Sequence, residues 1–281
     1  MKKYLSLIKF SHTIFAMPFA LIGFFLATTL HDFEWTTLVY IILCMIFARS
    51  AAMAFNRYID RDIDKKNKRT AQLREIPNGT IKANSVLIFV VINSCLFIVT
   101  TYLINPICLI LSPCALLVIL GYSYTKRFTA LCHLILGLGL ALAPIGSYLA
   151  VSGKFAIVPV LFSVAVLFWV SGFDIIYSLQ DEEFDKSQKL HSIPVLIGKK
   201  NALTLAKTLH FFSFFTLSIT GLLGDFRLYY WIGFLIFSSL LIYQHTLVKH
   251  NDLSKINLAF FTTNGIASVI FGAFVISDIL L

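Results

Sequence analysis

The sequence predicts an all-α protein that crosses a membrane several times, and three observations carry that reading. Of 281 residues, 58% are hydrophobic and only 13% are charged, where a soluble domain of this size carries about a quarter charged residues. The apolar residues come in runs of about 20, long enough to span the hydrocarbon core as helices, rather than in amphipathic stripes. The basic residues are gathered on one side of the bundle that those runs imply.

Taken in order, the apolar runs cover about 11–30, 36–58, 85–104, 107–125, 128–150, 156–179, 201–222, 228–248 and 257–278, nine spans in all. Short breaks carry turn signals at Asn105-Pro106, Ser152-Gly153 and Gly224-Asp225. Two breaks, 59–84 and 180–200, are long and charged. With no shift in composition along the chain, 1–281 is expected to form a single membrane domain. The first run has no small-residue cleavage site after a short core and is expected to be a retained helix. The five cysteines (Cys44, Cys95, Cys108, Cys114, Cys132) all fall in apolar runs without a CxxC, so buried free thiols are expected.

Nine spans place the N-terminus and the connections after spans two, four, six and eight on one face. That face holds 19 of the 23 Lys and Arg, including eight between Arg57 and Lys82, and the other holds Lys154 and Arg227. Basic residues in short loops mark the cytoplasmic side. The net charge of +9 is therefore a signature of topology, and no nucleic-acid partner is expected. The bilayer is the expected surrounding, and the lack of a transit-like N-terminus favours a bacterial inner membrane.

Nine of the 14 carboxylates share that face and cluster in two places. The first is Asn56-Arg-Tyr-Ile-Asp60-Arg-Asp-Ile-Asp64, in which Asn56, Asp60 and Asp64 recur every four residues. The second is Asp174-Ile-Ile-Tyr177-Ser-Leu-Gln-Asp181-Glu-Glu-Phe-Asp185. On a helix each set occupies one face. Like charges stacked this way repel, and near a membrane they cost more. Divalent cations remove both penalties. Magnesium takes a few carboxylate oxygens, several waters and substrate phosphates, so two facing motifs suit Mg²⁺ ions with a diphosphate held between them.

Lys126 and Arg127, in the turn Tyr122-Ser-Tyr124-Thr-Lys126-Arg127, and Arg69 and Arg74 after the first motif, suit phosphate oxygens. Taken singly each reads first as a topology determinant or headgroup contact, and the carboxylates beside them shift the reading to phosphate binding. Arg49 lies on the membrane side of the first motif, where it either holds an acceptor's carboxylate or pairs with a helix-end carboxylate. His12 and His133 read as satisfied core histidines ahead of acceptor contacts. Asn78-Gly-Thr80 matches a glycosylation sequon but reads as a turn.

The chain resembles the UbiA-type superfamily of intramembrane prenyltransferases over nearly its whole length. The resemblance lies in the NxxxDxxxD of Asn56, Asp60 and Asp64 and the DxxYxxxD of Asp174, Tyr177 and Asp181 with its trailing Asp185. It extends to Arg69-Thr70, Arg74, Pro77-Asn-Gly79, Tyr122…Lys126-Arg127 and His133-Leu-Ile-Leu-Gly137. It implies a ring of nine helices around a central cavity that opens to the cytoplasmic side, capped by the two motif loops, with a lateral opening for a prenyl tail. Members commonly read Arg-Pro in the first loop, where this chain has Arg74-Glu75-Ile76-Pro77. That variant is similar to 4-hydroxybenzoate-type polyprenyltransferases, some serving menaquinone rather than ubiquinone assembly, which leaves a naphthoate-type acceptor open.

The expected reaction is Mg²⁺-dependent transfer of a polyprenyl chain from its diphosphate to an aromatic acid. Asn56, Asp60, Asp64, Asp174, Asp181 and Asp185 are the expected metal ligands. Asp60, Asp64, Asp174, Asp181 and Tyr177 are the expected catalytic groups. Asn56, Arg49, Arg69, Arg74, Tyr122, Tyr124, Lys126 and Arg127 are expected to bind substrate. Aromatic faces shield and stabilise an allylic cation, and Tyr177, Tyr122 and Tyr124 rank ahead of any Phe, including those of Phe10-Ser-His12-Thr-Ile-Phe15-Ala-Met-Pro18-Phe19. A transporter would place its carboxylates near the bilayer midplane. The DGxxAR…GxxxD run of CDP-alcohol phosphotransferases is not found, and soluble prenyl synthases are not this apolar.

Overall fold

The computed structural model describes residues 2–7 and 15–281, so His12 and Phe10 lie outside the described residues. Twelve α-helices follow one another, and among the described residues there is no β-strand. A short α1 (Lys2–Leu7) precedes α2 (Met17–Thr28) and α3 (Trp35–Ile59). Then come α4 (Arg61–Lys66), α5 (Ala83–Ile104), α6 (Pro106–Thr125), α7 (Cys132–Ser152) and α8 (Ile157–Ser178). The chain ends with α9 (Glu182–Ser187), α10 (Ile193–Leu223), α11 (Leu228–Leu247) and α12 (Asn264–Leu280). Among the described residues, seven helical segments are long and apolar enough to cross a membrane, including the continuous run Ile157–Ser187. The other two expected spans correspond to α2, 12 residues long, and α11, whose 20 residues include the polar Gln244 and His245 near the C-terminal end.

The helices pack as a closed sequence of neighbours. α3 contacts α5 and α6, α6 contacts α7, α7 contacts α8, and α8 contacts α10, which leads through α11 and α12 to α2 and from there back to α7 and α3. Lipid tails are as apolar as these side chains, so close packing and interhelical hydrogen bonds hold the bundle, rather than expulsion of water. A β-carbon at Gly23 would fall on the backbone carbonyl of Pro144, so glycine lets α2 lie directly against α7. Ser213 Oγ donates to the Ala165 carbonyl at 2.9 Å and Tyr230 Oη to the Leu217 carbonyl at 2.6 Å, tying α10 to α8 and α11 to α10. Phe19, Phe162, Trp169, Tyr230, Phe237 and Phe271 fill the half of the bundle between α2, α8, α11 and α12. The half bounded by α3, α5, α6 and α7 is hollow.

Several expected elements differ in detail. The sixth span continues past Ser178 through a 3₁₀ turn (Leu179–Asp181) into α9, and α10 starts eight residues before its expected position. Its regularity breaks at Gly198 (φ 77°), a left-handed conformation suited to glycine. The last span opens as a π-helical segment, Leu258–Thr263, before α12. The five cysteines are free but not fully buried; Cys95 and Cys114 are exposed, and Cys114 lines the apolar chamber between α3, α5, α6 and α7. Asn78 accepts from the Thr80 amide at 2.9 Å, forming the expected turn.

One carboxylate in the last helix is structural. Asp278 is buried, and its two oxygens accept from the backbone amides of Arg227 (2.7 Å) and Tyr230 (3.1 Å). It thereby caps the N-terminus of α11, whose own N-cap residue supplies no side-chain bond. Asp278→Ala leaves two buried donors unpaired, and a loss of about 1–3 kcal/mol is expected in unfolding measured in mixed micelles.

Candidate active site

The two acidic motifs converge on one chamber at the end of the bundle where the long charged connections lie. α3 carries Asn56 to its last turn, and the helix breaks at Asp60 (φ −88°, ψ 2°) before α4 carries Asp64. The first motif is therefore two helices meeting at a corner, not one continuous face. On the opposite wall Asp174 and Tyr177 sit on α8, Asp181 ends the 3₁₀ turn, and Asp185 lies on α9. This too departs from a single helical face. All seven residues nevertheless line the same cavity of about 230 Å³, together with Arg69, Arg74, Tyr122 and Lys126.

The carboxylates meet the chain's own cations. Asp60, 3% exposed, accepts from Lys126 Nζ at 2.6 Å, from Arg127 Nη2 at 3.1 Å and from Asn56 Nδ2 at 3.1 Å. Arg127 also donates to the carbonyls of Ser123 and Ile59 at 2.8 and 3.0 Å. It thus places a cation at the C-terminus of α3, where the helix dipole favours one. Across the chamber Arg69 grips Asp181 as a fork, Nε to Oδ1 at 3.1 Å and Nη2 to Oδ2 at 2.5 Å, and donates to the Tyr177 hydroxyl at 3.2 Å. Burial disfavours the Arg69 cation, but Asp181 and Tyr177 outweigh it and hold the guanidinium above its ordinary pKa. The Arg69–Asp181 pair joins the first motif loop to the second.

His133 lies against Asp174, Nδ1 to Oδ2 at 2.7 Å, while its Nε2 accepts from the Ile193 amide at 3.3 Å. A ring nitrogen that accepts carries no proton, so Nδ1–H donates to the carboxylate. His133 is thus hydrogen-bonded at both nitrogens and also lines the chamber. Nothing in its sequence neighbourhood singles out Asp174 as its partner. Asn67, which donates to Asp181 at 3.3 Å, was also not singled out by sequence, because it falls outside both four-residue repeats. Tyr124 is 45% exposed and packs on Phe55 and Arg127 outside the cavity lining. Arg127 lies behind Asp60 rather than on the cavity wall.

A second, apolar chamber of about 440 Å³ runs between α3, α5, α6 and α7 and shares Tyr122 and Leu136 with the first. It reaches Leu149, Ala150 and Phe155 at the far end of α7. Arg49 lines it, makes no ion pair among the described residues, and has its Nε buried without a hydrogen-bond partner. The two chambers together accept a molecule with a charged head and a long apolar body.

Among the described residues, no three Asp, Glu, His or Cys side chains converge into a metal cage. The donors instead face one another in two groups, which suits magnesium, a cation commonly held by one or two carboxylates and completed by waters and substrate phosphates. Five carboxylates line the cavity against Arg69, Arg74 and Lys126, an anionic excess that a divalent cation neutralises. Asp64 supplies the clearest vacancy in bonding. Its Oδ2 is buried with no hydrogen-bond partner, and Arg74 approaches only to 3.6 Å. Burial pushes the Asp64 carboxyl up to about 6; Arg57 pulls it back and Asp60 adds to the rise. A metal must displace that proton. Mn²⁺ titrated into the protein is therefore expected to bind roughly fourfold more weakly at pH 5.5 than at pH 7.5, with the change centred near 6; an Asp64→Asn variant should lose this pH dependence.

The UbiA prenyltransferase family model matches residues 16–266. The 4-hydroxybenzoate octaprenyltransferase of Tolumonas auensis is 29% identical over 82% of this chain and 79% of its own. The apo structure of a UbiA homolog from Aeropyrum pernix K1 superposes with a TM-score of 0.86 at 30% identity, covering 96% of this chain and 98% of that one. A UbiA homolog from Archaeoglobus fulgidus, solved bound to DMAPP and Mg²⁺, shares the fold with a TM-score of 0.76 at 21% identity, over 99% of both chains. With that match across most of the sequence, the chain belongs to the UbiA prenyltransferase family and is a multi-pass membrane prenyltransferase.

Proposed function

We propose that the protein transfers a polyprenyl chain from polyprenyl diphosphate to an aromatic acid of the 4-hydroxybenzoate type, with Mg²⁺, in ubiquinone or menaquinone biosynthesis. The observation that carries this reading is the shared wall of the two chambers. An acidic, cation-studded head site shares Tyr122 and Leu136 in its wall with an apolar chamber, an adjacency that suits a diphosphate on a hydrocarbon tail. The name of the Tolumonas auensis relative and the DMAPP and Mg²⁺ in the Archaeoglobus fulgidus homolog support the same substrate classes. The asymmetry of the basic loops supports a head site on the cytoplasmic side, and the bacterial relatives support an inner membrane.

Bound Mg²⁺ supplies Lewis-acid neutralisation of charge on the departing diphosphate. Lys126 and Arg69, released from Asp60 and Asp181 as those oxygens turn to the metal, are placed to hold phosphate oxygens. Arg74 adds a third cation beside Asp64. The allylic C–O bond breaks, and the carbon left electron-poor lies where the chambers meet, next to the aromatic faces of Tyr122 and Tyr177, which shield it from water. Arg49, with its unpartnered Nε in the apolar wall beside Tyr122, is placed to hold the acceptor's carboxylate. The ring carbon ortho to the phenol oxygen then forms the new C–C bond and gives up its proton.

Purified protein in detergent is expected to release diphosphate from a polyprenyl donor only when Mg²⁺ and a phenolic acid are both present. Asp60→Asn and Asp181→Asn should each lower that rate by about a hundredfold or more in protein that still folds and purifies like the wild type. Full turnover by both variants would refute the metal-site assignment. In a panel of acceptors, preference for a naphthoate over 4-hydroxybenzoate would move the reaction to menaquinone assembly.

A further inference from the structure

Three fully buried polar side chains stand outside the diphosphate site. Trp169, Gln244 and Asn264 are all at 0% exposure within the membrane half of the bundle, where an amide is costly unless it is hydrogen-bonded. Their bonds converge on one feature. Trp169 Nε1 donates to Asn264 Oδ1 at 2.9 Å. Asn264 Nδ2 donates to the carbonyls of Ala259 and Phe260 at 3.1 and 2.9 Å. Gln244 Nε2, from α11, donates to the Ala259 carbonyl at 2.9 Å. Both carbonyls belong to the π-helical segment Leu258–Thr263.

A π turn carries one more residue than an α turn and displaces the regular ladder, and such turns recur at functional sites. The Gln244 and Asn264 amides bond the carbonyls of the widened turn. Reversion to α-helix would shift the register by one residue and swing the following side chains by about 100°. Phe260 lies in that turn. Its ring stacks on Tyr177 at 4.1 Å and 29°, and meets Phe173 edge-on at 5.3 Å. Phe261 meets the Tyr177 ring edge-on at 6.0 Å and 77°. The Tyr177 hydroxyl in turn accepts from Arg69, whose fork holds Asp181. A continuous path of contacts therefore runs from a polar cluster inside the bilayer to the ring on the wall of the head site.

We infer that Gln244, Asn264 and Trp169 are positioning residues for the transfer reaction: they hold the π turn at 258–263 open, so that Phe260 and Phe261 fix the Tyr177 ring against the reacting carbon. This rests on the reading of Tyr177 as a substrate-facing group. A role confined to stapling α8, α11 and α12 would lower stability alike in any background. The positioning role acts through Tyr177 and vanishes when that ring is removed.

The test is a double-mutant cycle on the purified full chain, using geranyl diphosphate and 4-hydroxybenzoate with radiolabelled diphosphate release as readout. Gln244→Leu and Trp169→Phe are each expected to lower kcat about tenfold. Donor KM and Mn²⁺ affinity should stay within about twofold, because neither residue touches the head group. In a Tyr177→Leu background the same substitutions should have no further effect on kcat. An equal loss in that background, or a loss carried by KM or by metal affinity, overturns the inference. Trp169→Phe preserves an aromatic ring in the core and carries the cycle alone if Gln244→Leu does not fold. An inactive wild type would instead strike at the proposed function, which keeps the two failures apart.

Discussion

The arrangement at the head of the bundle depends on charge pairing across a partly buried space. Asp60 meets Lys126 and Arg127, and Asp181 meets Arg69, each from a different segment, while Asp174 accepts a hydrogen bond from His133. At low local dielectric an unpaired carboxylate would be expensive, and breaking such a pair is more costly than never having built it. The pairs therefore fix where the loops go. Arg69 brings residues 67–82 onto α8, and Arg127 clamps the α6–α7 turn to the end of α3. The same pairs hold the residues that a diphosphate and its metal would need, already gathered but engaged with one another. In the proposed reaction, substrate would replace internal ion pairs with metal–carboxylate and cation–phosphate contacts.

Below this rim the bundle is lopsided. Aromatic packing, with rings such as Phe19 and Trp169 at 5.4 Å, fills the side built from α2, α8, α11 and α12 and makes it a rigid wall. The side built from α3, α5, α6 and α7 keeps a channel. Tyr122 lines both the head chamber and the channel, and Tyr177 packs from the solid side onto the head chamber. The solid half serves as the support against which a reactive ring face is held, and the hollow half as the space for an apolar chain.

Much of this was legible in the sequence, because the membrane imposes simple rules. Long apolar runs have to be helices when lipid offers no hydrogen bonds, and the spacings of Asn56, Asp60 and Asp64 and of Asp174, Tyr177, Asp181 and Asp185 placed both sets at the chamber. Helix periodicity was right about convergence and wrong about continuity. The breaks at Asp60 and at 179–181 arise where the chain leaves the bilayer and the loops fold back, and no residue there is a strong helix breaker. The π turn at 258–263 could not be read at all, since the Gln244 bond to the Ala259 carbonyl forms only when α11 packs against this segment, and the local bonds of Asn264 carry no sequence signal of a widened turn. His133 was read as a core histidine because its partner is 41 residues away. Tyr124 shares a motif with Tyr122 but points outward, as residues two apart on a helix must. The cysteines looked buried because apolar neighbours signal a core in water, whereas in a bilayer they equally signal the lipid face.

The claim at the centre is that the two acidic walls are completed by metal and diphosphate together. Pulsed EPR on Mn²⁺ bound to the protein, with and without a non-cleavable thio-diphosphate analogue of the donor, tests it most directly. The account predicts that the analogue tightens Mn²⁺ binding at least about tenfold, adds a ³¹P hyperfine coupling to the metal signal, and loses both effects in Asp60→Asn and Asp181→Asn alike. Mn²⁺ that binds with the same affinity without the analogue and shows no ³¹P coupling would contradict it.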